Sequence, residues 1–248
     1  MKLFQATLTM SAAALILTAT SVFADQKSDC LLRDPKIVIP ACSALIDGKT
    51  VTDKNELATY FASRARSYYN SGDRPHAETD TQKAIDLNPK NAIANLLQGA
   101  LAFEKQDYVT ALGKLTNSIE SDPNYARAYV NRAKVYAAME DAAKAKADFD
   151  KAISVDPKDA TLYFSRSDGI AKGEKLELAL PDLDKAIEIN QNMPEPLHSR
   201  ALIYIDSNDY EKALIDLNKA VALNGTDAKI LLDRGLAHEK LNLIPKTR

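Results

Sequence analysis

The sequence predicts an all-α fold, a right-handed superhelical solenoid of helix-turn-helix repeats, and three observations carry that prediction. The first is a column of alanines, Ala77, Ala111, Ala145, Ala179 and Ala213, spaced 34 residues apart with no insertion or deletion. The second is a companion column seven residues later, Ala84, Ser118, Ala152, Ala186 and Ala220, each followed by Ile or Val. The third is helical phase inside each copy. In the third copy Tyr129, Ala133 and Tyr136 share one helix face, and Ala145, Phe149, Ala152 and Ile153 share a face of a second helix. Small residues at fixed positions let two helix backbones approach while larger neighbours fill the flanking holes, so this alternation is what stacked helical hairpins demand.

Residues 1–24 precede that organisation and read as a secretory signal peptide: Lys2 gives a positive start, Leu8 to Leu17 is mostly apolar, and Val22-Phe23-Ala24 ends in small residues suited to cleavage before Asp25. An uncleaved anchor is the competing reading, because no charge falls between Lys2 and Asp25. Residues 25–56 form an N-terminal capping segment. Cys30 and Cys42 both lie in it, and export would place them in an oxidising compartment, so a disulfide is expected. A redox-active pair is the alternative, but the spacing is far from Cys-x-x-Cys. A helix is expected from about Pro35 to Asp47, stopped by Gly48, and Asp53 with Glu56 suggests a capping box for the first repeat helix.

Each hairpin then ends in a turn marked by Asn88-Pro89, Asp122-Pro123 or Asp156-Pro157, where one helix stops and the next begins. The second copy departs from the pattern with Asn95 and Ala102 in place of aromatics, and the fourth carries Gly169, Gly173 and Pro181. Pro181 lies close enough to the start of its helix to be tolerated. An unpaired helix, residues 228–241, caps the far end.

In the third copy Tyr129, Ala133, Tyr136, Ala145, Phe149 and Pro157 hold the places of the tetratricopeptide-repeat (TPR) pattern, and the chain resembles that family over residues 57–241. The repeats are 58–91, 92–125, 126–159, 160–193 and 194–227. The segment with two cysteines resembles, more loosely, the lead-in of exported TPR proteins of alphaproteobacterial type. The family resemblance implies a scaffold that binds a protein or peptide on its concave face and carries no cofactor. Its chaperone-binding members clamp a terminal carboxylate with a Lys/Asn/Arg set; Ala62 stands where the leading Lys would be, so that specificity is not expected here.

The formal charge is −2, with 32 basic and 34 acidic residues interleaved, so no basic patch suggests nucleic acid and no basic amphipathic stretch suggests a membrane surface. Arg64, Arg132, Arg166, Arg200 and Arg234 form one column, and Asp80, Asp148, Asp182 and Asp216 another; both break together in the second copy, at Gln98 and Lys114. Their joint loss favours structural ion pairs over an arginine ladder for acidic ligands. Projecting the first helix of each hairpin and removing the core columns leaves Arg66, Tyr69, Asn70, Ile93, Leu96, Phe103, Arg127, Val130, Asn131, Lys134, Phe164, Asp168, Lys172 and His198, followed by Leu202 and Ile205, as the expected partner-binding face. Helix phase alone does not separate groove from interface between repeats. His76, His198 and His238 lie in different repeats with no metal-like spacing, and His238 shares a column with Tyr68, Tyr136 and Tyr204, which suggests a packed residue rather than a base. No phosphate loop and no Gly-x-Ser-x-Gly occurs.

The expectation is therefore a non-catalytic scaffold, in the bacterial periplasm or secreted, that binds a protein or peptide. Two alternatives stand beside it: a self-associating envelope module that forms a homodimer through residues 228–241, and an accessory factor or effector of envelope assembly or secretion.

Overall fold

A computed structural model describes residues 25–49, 51–171 and 176–243. The signal-peptide reading of residues 1–24, and the positions of Lys172 and Gly173, lie outside the described residues. Among those described there is no strand. The helices are α1 (Pro35–Asp47), α2 (Lys54–Asn70), α3 (Arg74–Leu87), α4 (Ala92–Glu104), α5 (Tyr108–Ser121), α6 (Ala126–Ala138), α7 (Ala142–Val155), α8 (Ala160–Ala171), α9 (Leu180–Ile189), α10 (Pro194–Asp206), α11 (Tyr210–Leu223) and α12 (Ala228–Leu243).

The chain divides into two compact units at Pro123/Asn124. In the first, α1 packs on α2, and the hairpins α2–α3 and α4–α5 stack through α3 on α4 and α2 beside α4. In the second, the hairpins α6–α7, α8–α9 and α10–α11 stack in sequence and α12 packs on α11. The alanine columns lie where helices meet: Ala77, Ala84, Ala111, Ala152, Ala186, Ala213 and Ala220 are wholly buried. At Gly99 of α4 an added Cβ would come 2.7 Å from Leu115 Cγ, which shows how tightly α4 and α5 cross.

The helix breaks follow from local chemistry repeated at the same pitch. Asp73, Asp107, Asp141 and Asp209 each cap a second helix by accepting the N–H three residues on. The residue before each cap takes a left-handed conformation, at Gly72, Gln106, Glu140 and Asn208, with φ of 83°, 61°, 62° and 61°. Only the first of these is a glycine, which has no Cβ to oppose that conformation. Neither column was read from the sequence, although both keep the 34-residue spacing.

The fourth hairpin differs. Its second helix starts late, at Leu180, preceded by a 3-10 turn over Leu176–Ala179, and Pro181 occupies its first turn. Proline has no N–H to donate one turn back, so the regular helix begins where that donor is not required.

At the N-terminal end Cys30 and Cys42 are joined by a disulfide. Around it Val38, Ala41 and Leu45 of α1 pack on Tyr60 of α2. One expectation needs correcting here. The capping box at α2 is half formed: Asp53 Oδ1 accepts from Glu56 N at 2.8 Å, but the Glu56 carboxylate turns away to Lys27 Nζ and the Tyr60 hydroxyl, both at 2.6 Å. A cation from outside the helix and a phenol one turn further along it outcompete the backbone N–H for it. As expected, α1 ends at Asp47 with Gly48 as its cap, in the right-handed region at φ −65°; the left-handed residue is the next one, Lys49 at φ 52°.

Candidate functional site

The first helix of each hairpin supplies the face on which a partner was expected. In the second unit one repeat position stays accessible from hairpin to hairpin: Lys134 on α6 is half-buried, and Asp168 on α8, Leu202 on α10 and Leu236 on α12 are exposed. Arg127 is exposed on α6, and half-buried Asn131 donates from Nδ2 to the Arg127 carbonyl at 2.9 Å, so these two sit one turn apart beside Lys134. In the first unit Asn70 is exposed at the end of α2.

The other expected face residues divide according to what their side chains touch. Leu96 and Val130 are 7% exposed, so they belong to packing and present almost no surface; this corrects their placement on an open face. Phe164 packs against Ala179, Leu183 and Ile203, and Ile93 against the cluster of Phe61, Ala62, Ala84 and Ala94. Ile205 joins the core of the last hairpin. Phe103 is half-buried beside Tyr108, with ring centroids 5.9 Å apart. Arg66 donates from Nη2 to the Leu32 carbonyl at 3.2 Å and so ties α2 to the N-terminal segment. The ring of His198 meets Asp233 Oδ2 of α12 at 2.6 Å. His238, expected to be packed, is exposed. Its column holds tyrosine at 68, 136 and 204, and the partly buried Tyr204 packs against the last hairpin's core.

Tyr69 belongs to a polar cluster between the first two hairpins. Its hydroxyl donates to Glu104 Oε1 at 2.7 Å, and the Arg74 guanidinium lies 3.9 Å over its ring while bonding both Glu104 oxygens at 2.7 and 2.8 Å. Burial, and then the bond to Glu104, push the Tyr69 phenol up to about 12. The bond from Arg74 holds the Glu104 carboxyl below its ordinary value, with burial opposing.

The charged columns form clamps within hairpins. Arg64, Arg132, Arg166 and Arg200 each donate from Nε and Nη2 to both carboxylate oxygens of the aspartate 16 residues on, Asp80, Asp148, Asp182 and Asp216, at 2.6 to 3.0 Å. This is a fork-to-fork arrangement, available to arginine and not to lysine. A second arm links hairpins: Nη1 of Arg166 reaches Asp150 and Nη1 of Arg200 reaches Asp184, each 16 residues back in the preceding second helix, while Arg64 Nη1 reaches Ser43 Oγ of α1. The bonds to Asp182 and Asp216 raise the Arg166 and Arg200 guanidinium pKa values further above their ordinary value, against the opposing effect of burial. The signal for the second arm is Asp150 and Asp184, which stand 34 residues apart in the sequence.

Tetratricopeptide-repeat family models match residues 63–126 and 126–159, and a TPR-repeat model matches residues 201–242, together more than half of the chain. The chain belongs to the tetratricopeptide-repeat family. A TPR protein from Parabacteroides merdae shares its fold, with a TM-score of 0.65 at 20% identity over 93% of this chain and 86% of that one. YrrB, described as a TPR protein with an unusual peptide-binding site, matches with a TM-score of 0.50 at 17% identity, over 79% of this chain and 98% of its own. In sequence, the human Protein SGT1 homolog is 31% identical over 113 residues, which is 45% of this chain and 30% of that protein's length.

Across the described residues of this TPR chain no group of three or more His, Cys, Asp or Glu side chains is placed to hold a metal ion, and no helix is long and apolar enough to cross a membrane. The histidine rings at 76 and 198 each meet one aspartate, Asp73 and Asp233, rather than one another.

Proposed function

We propose that this chain is an exported, non-catalytic TPR scaffold that holds an extended segment of a protein or peptide along the first helices of its repeats. The observation that carries the reading is the row Lys134, Asp168, Leu202 and Leu236, a repeat position that is half-buried on α6 and exposed on α8, α10 and α12. Arg127 and Asn131 add a cation and an amide beside it. A row that mixes a cation, an anion and aliphatic surface at regular pitch suits an extended chain, whose polar groups fix register while apolar contact supplies affinity. That YrrB has a peptide-binding site on the same fold supports the assignment. Export is supported by the leader-like residues 1–24 and by the Cys30–Cys42 disulfide, a bond that persists in oxidising compartments.

The test is capture of partners from the native compartment by the wild-type protein and by Lys134→Glu/Leu202→Asp, two changes on accessible side chains that spare the core. Loss of particular partners by the variant, with an unchanged circular-dichroism spectrum, is expected; equal recovery of every partner by both forms would remove the assignment.

Self-association is the second reading, and one observation favours it. Leu232 and Leu243 on α12 are 72% and 68% exposed, an apolar stripe at the last described helix. A dimer seen by sedimentation and abolished by Leu232→Asp would establish it, and a monomer at high concentration would dismiss it.

A further inference from the structure

The second repeat lacks the clamp that the other four full repeats possess. Gln98 stands at the arginine position and Lys114 at the aspartate position. There, between α3, α4 and α5, lies a cleft of about 300 Å³ whose lining includes Glu78, Thr81, Gln82, Gln98, Lys105 and Asp107. Thr81 is 2% exposed, and its Oγ1 is buried with no hydrogen-bond partner. Gln98 Oε1 is likewise buried and unpartnered. Two such atoms in one place call for a physical explanation, since buried polar groups in folded proteins are nearly always paired.

Elsewhere the chain itself shows what fills the equivalent space. In the fourth and fifth repeats a guanidinium bridges the aspartate 16 residues on and the aspartate 16 residues back. Sixteen residues back from Gln98 is Gln82, and the two amides touch only at 3.5 Å, the outer limit of a hydrogen bond. The planar five-donor group is missing, while acceptors remain at Gln98, Gln82 and Thr81, with the carboxylates of Glu78 and Asp107 at the rim. Lys105 balances Glu78 at 2.8 Å, and Lys114 does not line the cleft.

We propose that this cleft binds the guanidinium of an arginine side chain carried by a partner protein, seated in the slot that the chain's own arginine occupies in the other repeats. The group must bring donors, because the unpartnered Gln98 atom is an acceptor only. It must also be planar and weakly hydrated, because the slot lies between packed helices; an ammonium meets the first requirement and fails the second. The site uses none of the residues assigned to the peptide face, so it stands or falls independently of that face.

The probe is N-acetyl-arginine methylamide, titrated into the 15N-labelled full chain and followed by amide chemical shifts. Its neutral isostere, N-acetyl-citrulline methylamide, is the control. Saturable shifts confined to residues 78–114 are expected with half-saturation at about millimolar probe, since one side chain carries little binding energy. The citrulline compound should bind about tenfold more weakly, having lost the charge. Gln98→Arg/Lys114→Asp installs the clamp of the other repeats and should abolish the response by filling the slot. Gln82→Lys, a change at an exposed position that places an ammonium at the cleft, should abolish it as well and serves should the double variant fail to fold. No saturable response, equal binding of the citrulline compound, or an undiminished response in a folded variant would each overturn the proposal.

Discussion

Asp216 is 4% exposed and both of its oxygens accept from Arg200, each at 2.8 Å, while the Arg200 side chain is 21% exposed. Asp216→Ala would leave two guanidinium N–H groups unpaired between α10 and α11. Each charge-assisted bond is worth about 1.5–3 kcal/mol, and leaving one member of a buried pair unpaired costs about 3–5 kcal/mol. Arg200 retains its bond to Asp184, whose side chain is 59% exposed, and some access to solvent. Those two reliefs bring the expected loss to about 2–3 kcal/mol. The double change Arg200→Met/Asp216→Leu removes both charges and keeps apolar volume, so it should cost less than about 1 kcal/mol.

The assay is urea unfolding followed by circular dichroism, run as a cycle over the two single variants and the double. Hydrogen exchange should accompany it, because a repeat array need not unfold as one unit, and the loss should concentrate in residues 194–227. An Asp216→Ala loss below about 1 kcal/mol would place the pair with ordinary surface ion pairs and refute the clamp. A double variant as unstable as the single would refute it differently, by showing that packing of the Arg200 stem matters and the charge pairing does not.

Three further outcomes follow from the geometry. Gly99→Ala forces a Cβ to within 2.7 Å of Leu115 Cγ and should cost about 1–3 kcal/mol, whereas Gly113→Ala, with nothing within 4 Å, should gain up to about 1 kcal/mol from helix propensity; urea midpoints of the two variants should move in opposite directions. Because the bond from Arg74 lowers the Glu104 pKa below 4.5, its contribution is complete above that pH and is lost as pH falls through the folded value, so the melting-temperature gap between wild type and Glu104→Gln should close on acidification from about pH 6 to about pH 3. A gap that stays constant would remove the linkage. Removal of the disulfide by Cys30→Ser/Cys42→Ser opens a loop with a separation of 12 residues and should destabilise the first unit by about 3 kcal/mol, read as faster hydrogen exchange in α1 and unchanged exchange in α10 and α11.

What could be read from the sequence is what repeats because packing demands it. Ala77, Ala111 and their column are small since two backbones cross there, and no other chemistry satisfies that crossing in copy after copy. The arginine and aspartate columns were also visible, since residues 16 apart on the two arms of a hairpin meet once the turn is made. Less legible was whatever depends on which group wins a competition: Glu56 turning to Lys27 and Tyr60 instead of closing a capping box, or Tyr69 drawn into the Arg74–Glu104 cluster.

The face itself was the hardest to read, and the column Leu96, Val130, Phe164, His198 and Leu232 shows why. The position is the same in every repeat, yet Leu96 and Val130 are 7% exposed, Phe164 and His198 are half-buried against neighbouring hairpins, and Leu232 is 72% exposed. Residue type does not order that series, since leucine stands at both extremes. What orders it is whether another helix lies over the position: α12 carries Asp233 to His198, and the fifth hairpin carries Ile203 to Phe164. Helix periodicity fixes the angle at which a side chain leaves its own helix and is silent about what stands opposite. The groove and the seam between repeats are separated by a small rotation about the same helix. Sequence spacing therefore identifies the stripe that must be covered, and only the stacked hairpins show how much of it remains for a partner.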